Sequence, residues 1–213
     1  MRLTLTALAL LLMVVACGPI GGPGTPAVTA STVAVQSSDL PNGLTKCDLS
    51  GDVNSYLTKI QTKDPSTYAT IKSQWEAAQK DGATAAQVEF YTDSTAHCAS
   101  LASSGSQIGT ATYKLVVNFV FQFKDEASAV KGYTSDSIFG FSASSLRASQ
   151  VPVTEGAATG LGPNSIVLTI AVATQTFYIV VWQKRQFMVI LGILNIDSAT
   201  DKKVALAEDG RIH

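Results

Sequence analysis

The stretch from Phe177 to Leu194 constrains this chain more than any other. Phe177, Ile179 and Val181 alternate with Tyr178, Val180 and Trp182, and residues 187–194 read Phe-Met-Val-Ile-Leu-Gly-Ile-Leu. Successive side chains of an extended strand point to opposite faces, so a strand with one wet face alternates apolar and polar residues. These two segments do not. The polar Gln183-Lys184-Arg185-Gln186 between them predicts a tight hairpin with antiparallel pairing. The sheet they form must be covered on both sides. The sharper alternative is an open apolar surface or pocket for a ligand, and Tyr178, Trp182 and Met188 are its expected lining.

Other segments fill in the fold. Tyr113, Leu115, Val117, Phe119, Phe121 and Phe123 recur at period two, a strand signal. Asp125 is placed to cap a short helix carrying Ala127, Ala129 and Val130. A polar Gly/Ser-rich connection from about 135 to 164 leads to another strand over 166–173. Ser198 with Asp201 three residues on reads as a capping box for a last helix ending near Gly210. From Cys47 to about Ala102 the spacing is helical. Val53, Tyr56, Leu57 and Ile60 follow the cap candidates Ser50 and Asp52, and Tyr68, Ile71 and Trp75 follow Asp64-Pro65. Ala86, Val88, Phe90 and Tyr91 suggest a third helix, although Val88 and Phe90 also fit a short strand. Asp93 or Ser94 would cap a turn carrying Cys98 and Leu101. The expected fold is α+β: an antiparallel sheet of four to five strands in βαβββα order over about 110–213, with the helical part over about 47–102 packed on it as the missing cover. Together they make one domain spanning 41–213.

The amino terminus carries a different message. Arg2 precedes an apolar run from Leu3 to Ala16, shorter than the ~20 residues that a membrane-spanning helix needs. Val14-Val15-Ala16-Cys17 followed by Gly18 resembles the lipobox of bacterial lipoproteins. That resemblance implies a signal peptide over 1–16, cleavage before Cys17, and acyl chains, palmitate among them, on the Cys17 sulfur. It implies a cell-envelope protein, lipid-anchored to the outer face of a bacterial membrane. Two or more acyl chains hold firmly, at ~0.8 kcal/mol per buried methylene. Residues 17–40 begin Gly-Pro-rich and continue with small and polar residues, so they are expected to form a disordered tether. With Cys17 assigned to lipid, Cys47 and Cys98 remain as a natural disulfide pair in an oxidising compartment. Two unpaired buried thiols are the other possibility.

Function classes narrow mainly by exclusion. Loss of residues 1–16 leaves 14 basic against 16 acidic residues, without the basic footprint of a nucleic-acid binder. The two histidines, His97 and His213, make no zinc-ligand cluster, and no metal or other cofactor is expected. Asp93, Ser94 and His97 have the composition of a hydrolytic triad, though Asp93 as a cap and His97 as a surface residue is the plainer account. Asp48 and Asp52 lack the pattern of a calcium loop. Gly160-Leu161-Gly162-Pro163 reads as a turn rather than a phosphate cradle. Glu76, Glu89, Asp125, Glu126 and Glu155 offer no particular carboxylate pair.

The second half also resembles small extracytoplasmic domains of bacterial lipoproteins and of the external sensors of bacterial membrane kinases. The resemblance rests on Phe119-Val120-Phe121-Gln122-Phe123, the helix after Asp125, the Gly160-Leu161-Gly162 turn, the hairpin through Trp182 and the closing Gly210-Arg211-Ile212. It implies a packing scheme and no functional residues. The expectation is a non-catalytic lipoprotein domain that binds a small molecule, a lipid or an envelope protein. A secreted hydrolase and a purely structural envelope protein are the rivals.

Overall fold

In the computed structural model, residues 27–213 are described, apart from 136, 139, 173 and 174 and the side chains of 106 and 107. The lipobox and Cys17 lie outside the described residues. The chain begins with a short helix, α1 (Ala30–Val33), and a 3-10 turn at Ser37–Asp39. Next come β1 (Thr45–Lys46), β2 (Gly51–Asp52), α2 (Val53–Ile60), α3 (Pro65–Lys80), β3 (Ala83–Thr92), α4 (Thr95–Ser103) and a 3-10 turn at Gly105–Thr110. The second half adds β4 (Leu115–Phe123), α5 (Glu126–Ser135), α6 (Ala143–Ala148), β5 (Val153–Glu155), β6 (Ser165–Val172), β7 (Gln175–Lys184), β8 (Phe187–Leu194) and α7 (Ser198–Asp209).

The fold is α+β, with a sheet larger than expected. Eight antiparallel strands run in the order β1-β3-β4-β8-β7-β6-β5, and β2 pairs with β3. The 83–92 segment is a ten-residue strand and not a helix. Ala83, Ala85, Ala86 and Gln87 favour a helix locally, but nine-residue pairing with β4, from Ala83↔Phe123 to Thr92↔Leu115, overrides that preference. β8 lies between β4 and β7, and all eight of its residues are buried, which explains its unbroken apolar sequence.

The two faces are covered by different parts of the chain. Val88, Phe119, Phe121, Ile179, Val181, Met188 and Ile190 face α2–α6, packing on Tyr56, Ile71, Trp75, Ala129 and Leu146. Asp52 caps α2 by accepting from the Asn54 and Ser55 N–H groups, and Asp64 caps α3 ahead of Pro65. The opposite face presents Val116, Val120, Val167, Tyr178, Val180, Trp182 and Val189 to α7 and to residues 30–40. The helices over 47–102 therefore cover one face only.

Residues expected to be a free tether supply much of the second cover. Val33, Ala34 and Val35 are 0–2% exposed. Their backbone is tied down by groups distant in sequence. The Val35 N–H donates to Asn118 Oδ1 at 3.0 Å, and the Tyr91 hydroxyl donates to the Val35 carbonyl at 3.1 Å. Arg211 donates to the Val33 and Ala34 carbonyls and pairs in a fork with Asp39 at 3.0 and 2.9 Å. We call residues 30–40 the strap. Small side chains let it lie close to the sheet, and its buried backbone groups find partners as burial requires.

The last helix also differs in detail. Its cap is Asp197, which accepts from the Thr200 N–H, and not a Ser198–Asp201 box. Asp201 is buried at 2% exposure beside Tyr178.

Candidate functional site

Close packing leaves few holes in a protein interior, and this chain has one on the helix side of its sheet. A cavity of about 30 Å³ is lined by Val117, Phe119, Ile179, Ile190 and Leu194 from the strands, with Gly192 at its floor. Its outer wall is not helical. Ile108 and Gly109 come from the 3-10 turn, and Ile138 and Phe141 from a tight turn closed by two reciprocal backbone hydrogen bonds of 3.1 and 2.8 Å. No ionisable side chain lines it.

The hole follows from Gly192. A strand glycine leaves a gap where its neighbours would place a side chain. A Cβ built on Gly192 would meet only the Val117 carbonyl oxygen, at 4.0 Å. The cavity reaches Phe177 near the start of β7, where the cover thins. There Phe141, Phe177 and Ile170 are half-buried, and Val172 is 57% exposed.

The expected lining residues do not form one surface. Tyr178 and Trp182 are 6% and 0% exposed and pack under α7 and the strap, whereas Met188 is 0% exposed and faces the helices. The reason is parity. Trp182 pairs with Val189, so Met188 points the other way. Of the three, Tyr178 alone borders a hollow. Gly192, the residue that makes the cavity, was missed; its signal is a lone glycine inside an otherwise apolar strand.

Cys47 and Cys98 form a disulfide with Cα atoms 5.2 Å apart. It lines a hollow of about 370 Å³ together with Lys46, Lys59 and Lys63. Two of those ammonium groups are already engaged. Lys46 pairs with Glu89 at 2.6 Å, and Lys59 donates to the Asp48 and Ser50 carbonyls at 2.6 and 2.9 Å. The hollow is thus a seam around the disulfide rather than a convergent anion site.

Two of the three residues with triad composition come together. His97 Nδ1 lies 2.6 Å from Asp93 Oδ1, and its ring stacks on Tyr113 at 4.0 Å. Burial works against the Asp93 charge, but hydrogen bonds from His97 and the Lys114 N–H outweigh it and hold the carboxyl below its usual pKa. Ser94, however, caps α4 by accepting from the His97 N–H at 3.2 Å. Its oxygen serves the helix terminus and not the imidazole. Among the described residues, no group of three His, Cys, Asp or Glu side chains could hold a metal ion, and no helix is long and apolar enough to cross a membrane.

No protein-family model matches the chain, and no curated protein matches it either. Among solved structures, the crystal structure of the extracellular domain of PknH from Mycobacterium tuberculosis is similar, with a TM-score of 0.49 at 12% identity. The match covers 86% of this chain and 94% of that one. A similarity of that order assigns no activity.

Proposed function

We propose that this chain is a non-catalytic binding module of the bacterial cell envelope, held at a membrane surface by acyl chains on Cys17, and that it takes an apolar chain at the Gly192 cavity. The cavity carries this reading. It is apolar, uncharged and walled on one side by two short turns, and half-buried aromatic residues help to line it. A hole of about 30 Å³ admits one or two water-sized spheres. An acyl chain therefore enters by displacing Ile138 and Phe141 from the sheet. The disulfide and the apolar run before Cys17 support an oxidising compartment outside the cytoplasm.

Gly192→Val separates stability from function. The new side chain fills the hole at an unstrained strand position and raises stability by about 1 kcal/mol. It also removes the space for a ligand. A fluorescent polyene fatty acid should bind the parent protein and lose at least tenfold in affinity with the variant. Equal affinity for both, or no binding by either, overturns the cavity reading.

The anchor is tested separately. Intact-mass analysis of protein from its own host should show a chain beginning at Cys17 and carrying acyl groups. A free thiol there would leave the tethering without a basis.

A further inference from the structure

The strap is not a strand of the sheet it covers, and a few points hold it down. Ala30, Val33, Ala34 and Val35 are buried, while Ser31, Thr32, Gln36, Ser37 and Ser38 are exposed. With so little apolar contact, much of the hold falls to polar groups. The Ala30 N–H donates to Gln122 at 3.2 Å, Tyr91 and Asn118 tie Val35, and Arg211 spans Val33, Ala34 and Asp39. A segment that buries so few side chains can open while the rest of the domain stays folded.

Beside the strap lies an acid. Glu208 of α7 is completely buried, and its Oε2 has no hydrogen-bond partner among the described residues. Asn118 links it to the strap. The Val35 N–H can only donate, so the Asn118 amide oxygen faces the strap, and Nδ2 donates to Glu208 Oε1 at 2.9 Å. The charged groups around the acid are Arg211 after α7, Asp39 on the strap and Asp209 next in the helix. Asp209 is paired with Lys184 at 2.8 Å, and Arg211 is shared among Asp39 and two strap carbonyls. Burial therefore outweighs the Asn118 hydrogen bond and the Arg211 charge, and it lifts the Glu208 pKa well above the usual carboxylate range.

We propose that residues 30–40 are a proton-gated cover: the strap lifts off the sheet as a unit, and Glu208 must carry a proton for it to stay down. A charge on Glu208 in the closed state would be desolvated and without a cation of its own. With the strap lifted, water reaches Asn118 and the carboxyl, Arg211 leaves the Val33 and Ala34 carbonyls, and ordinary acidity returns. Opening therefore releases a proton. Above the ordinary carboxylate pKa the open fraction rises about tenfold per pH unit, until the closed-state value is reached. The surface uncovered is the apolar strip of Val116, Val120 and Val189. It lies on the opposite side of the sheet from the Gly192 cavity, so the two can be tested apart.

Hydrogen-exchange NMR on the intact protein between about pH 5.5 and pH 7.5 tests the gate. The Val35 amide should exchange at least about tenfold faster than that of Leu191 in the central strand, which reports global unfolding. Base catalysis alone speeds exchange about tenfold per pH unit, and proton-linked opening should steepen Val35 toward about a hundredfold. Glu208→Gln, which copies the neutral acid, should return Val35 to the shallower slope. Arg211→Ala should raise the Val35 rate relative to Leu191 by at least about tenfold and keep the steep slope. Equal rates for Val35 and Leu191, equal slopes for the parent and Glu208→Gln, or a Val35 rate unmoved by Arg211→Ala overturns the proposal.

Discussion

Changing Cys47 and Cys98 together to serine should lower the free energy of unfolding by about 4 kcal/mol. The bond joins residues 51 apart and closes a ring that contains β2, α2, α3 and β3. Cross-linking removes loop-closure entropy from the unfolded chain, and the chain-entropy relation gives about 4 kcal/mol for a ring of this length. The native state has its own reason to need the bond. β1 and β2 are only two residues long, and between them the Cys47 N–H donates to the Phe90 carbonyl at 2.8 Å. Ser50 Oγ also donates to that carbonyl, at 3.3 Å, and accepts from the Phe90 N–H at 2.9 Å. Denaturant titration of both proteins measures the difference, and a value under 1 kcal/mol would show that the edge holds without its covalent tie.

Stability should fall by about 2 kcal/mol between pH 5 and pH 8, and Asp201→Asn should remove most of that slope. The Asp201 pKa is about 7 in the folded chain, raised by burial and then by Asp197, against 3.8 without those effects. Between those values the folded state holds a proton that the unfolded state has released, so stability declines as pH rises and levels off above 7. At about 1.4 kcal/mol per pH unit, the two units between pH 5 and the folded-state value set a ceiling near 3 kcal/mol, and relaxation around the charged carboxylate lowers the expected loss to about 2 kcal/mol. The charged groups near this carboxyl are Asp197 on its own helix and Lys202 beside it, with the Tyr178 phenol facing it from β7. Glu208 acts in the same direction. It is completely buried, its pKa is raised first by burial, and it accepts from Asn118 Nδ2 at 2.9 Å. Thermal unfolding of the parent, Asp201→Asn and Glu208→Gln across this pH range separates the two. A flat profile for the parent would show that neither acid holds its proton.

The sequence makes some of this architecture readable and hides the rest for physical reasons. Period-two runs through Phe119 and through Tyr178 announce β4 and β7, because each side of the sheet repeats every second residue. Asp52, Asp64-Pro65 and Ser94 mark helix starts through local chemistry alone. β3 is hidden because its alanines and glutamine carry a helical preference that only β4 overrules. The strap is hidden more deeply. Nothing near Val33-Ala34-Val35 shows that Asn118 and Arg211 will satisfy its backbone. The cavity is a missing side chain, and its one local trace is the lone glycine of an apolar strand.

Arg211 grips the segment at 33–39, although the two are separated by nearly the whole described chain. During synthesis, residues 33–39 must therefore wait for the turn after the last helix before they can settle. Until then Val116, Val120 and Val189 lack their lid, and nascent or truncated products present a greasy flank to chaperones and proteases. The closing turn thus doubles as a latch: the strap seats only once Arg211 is in place.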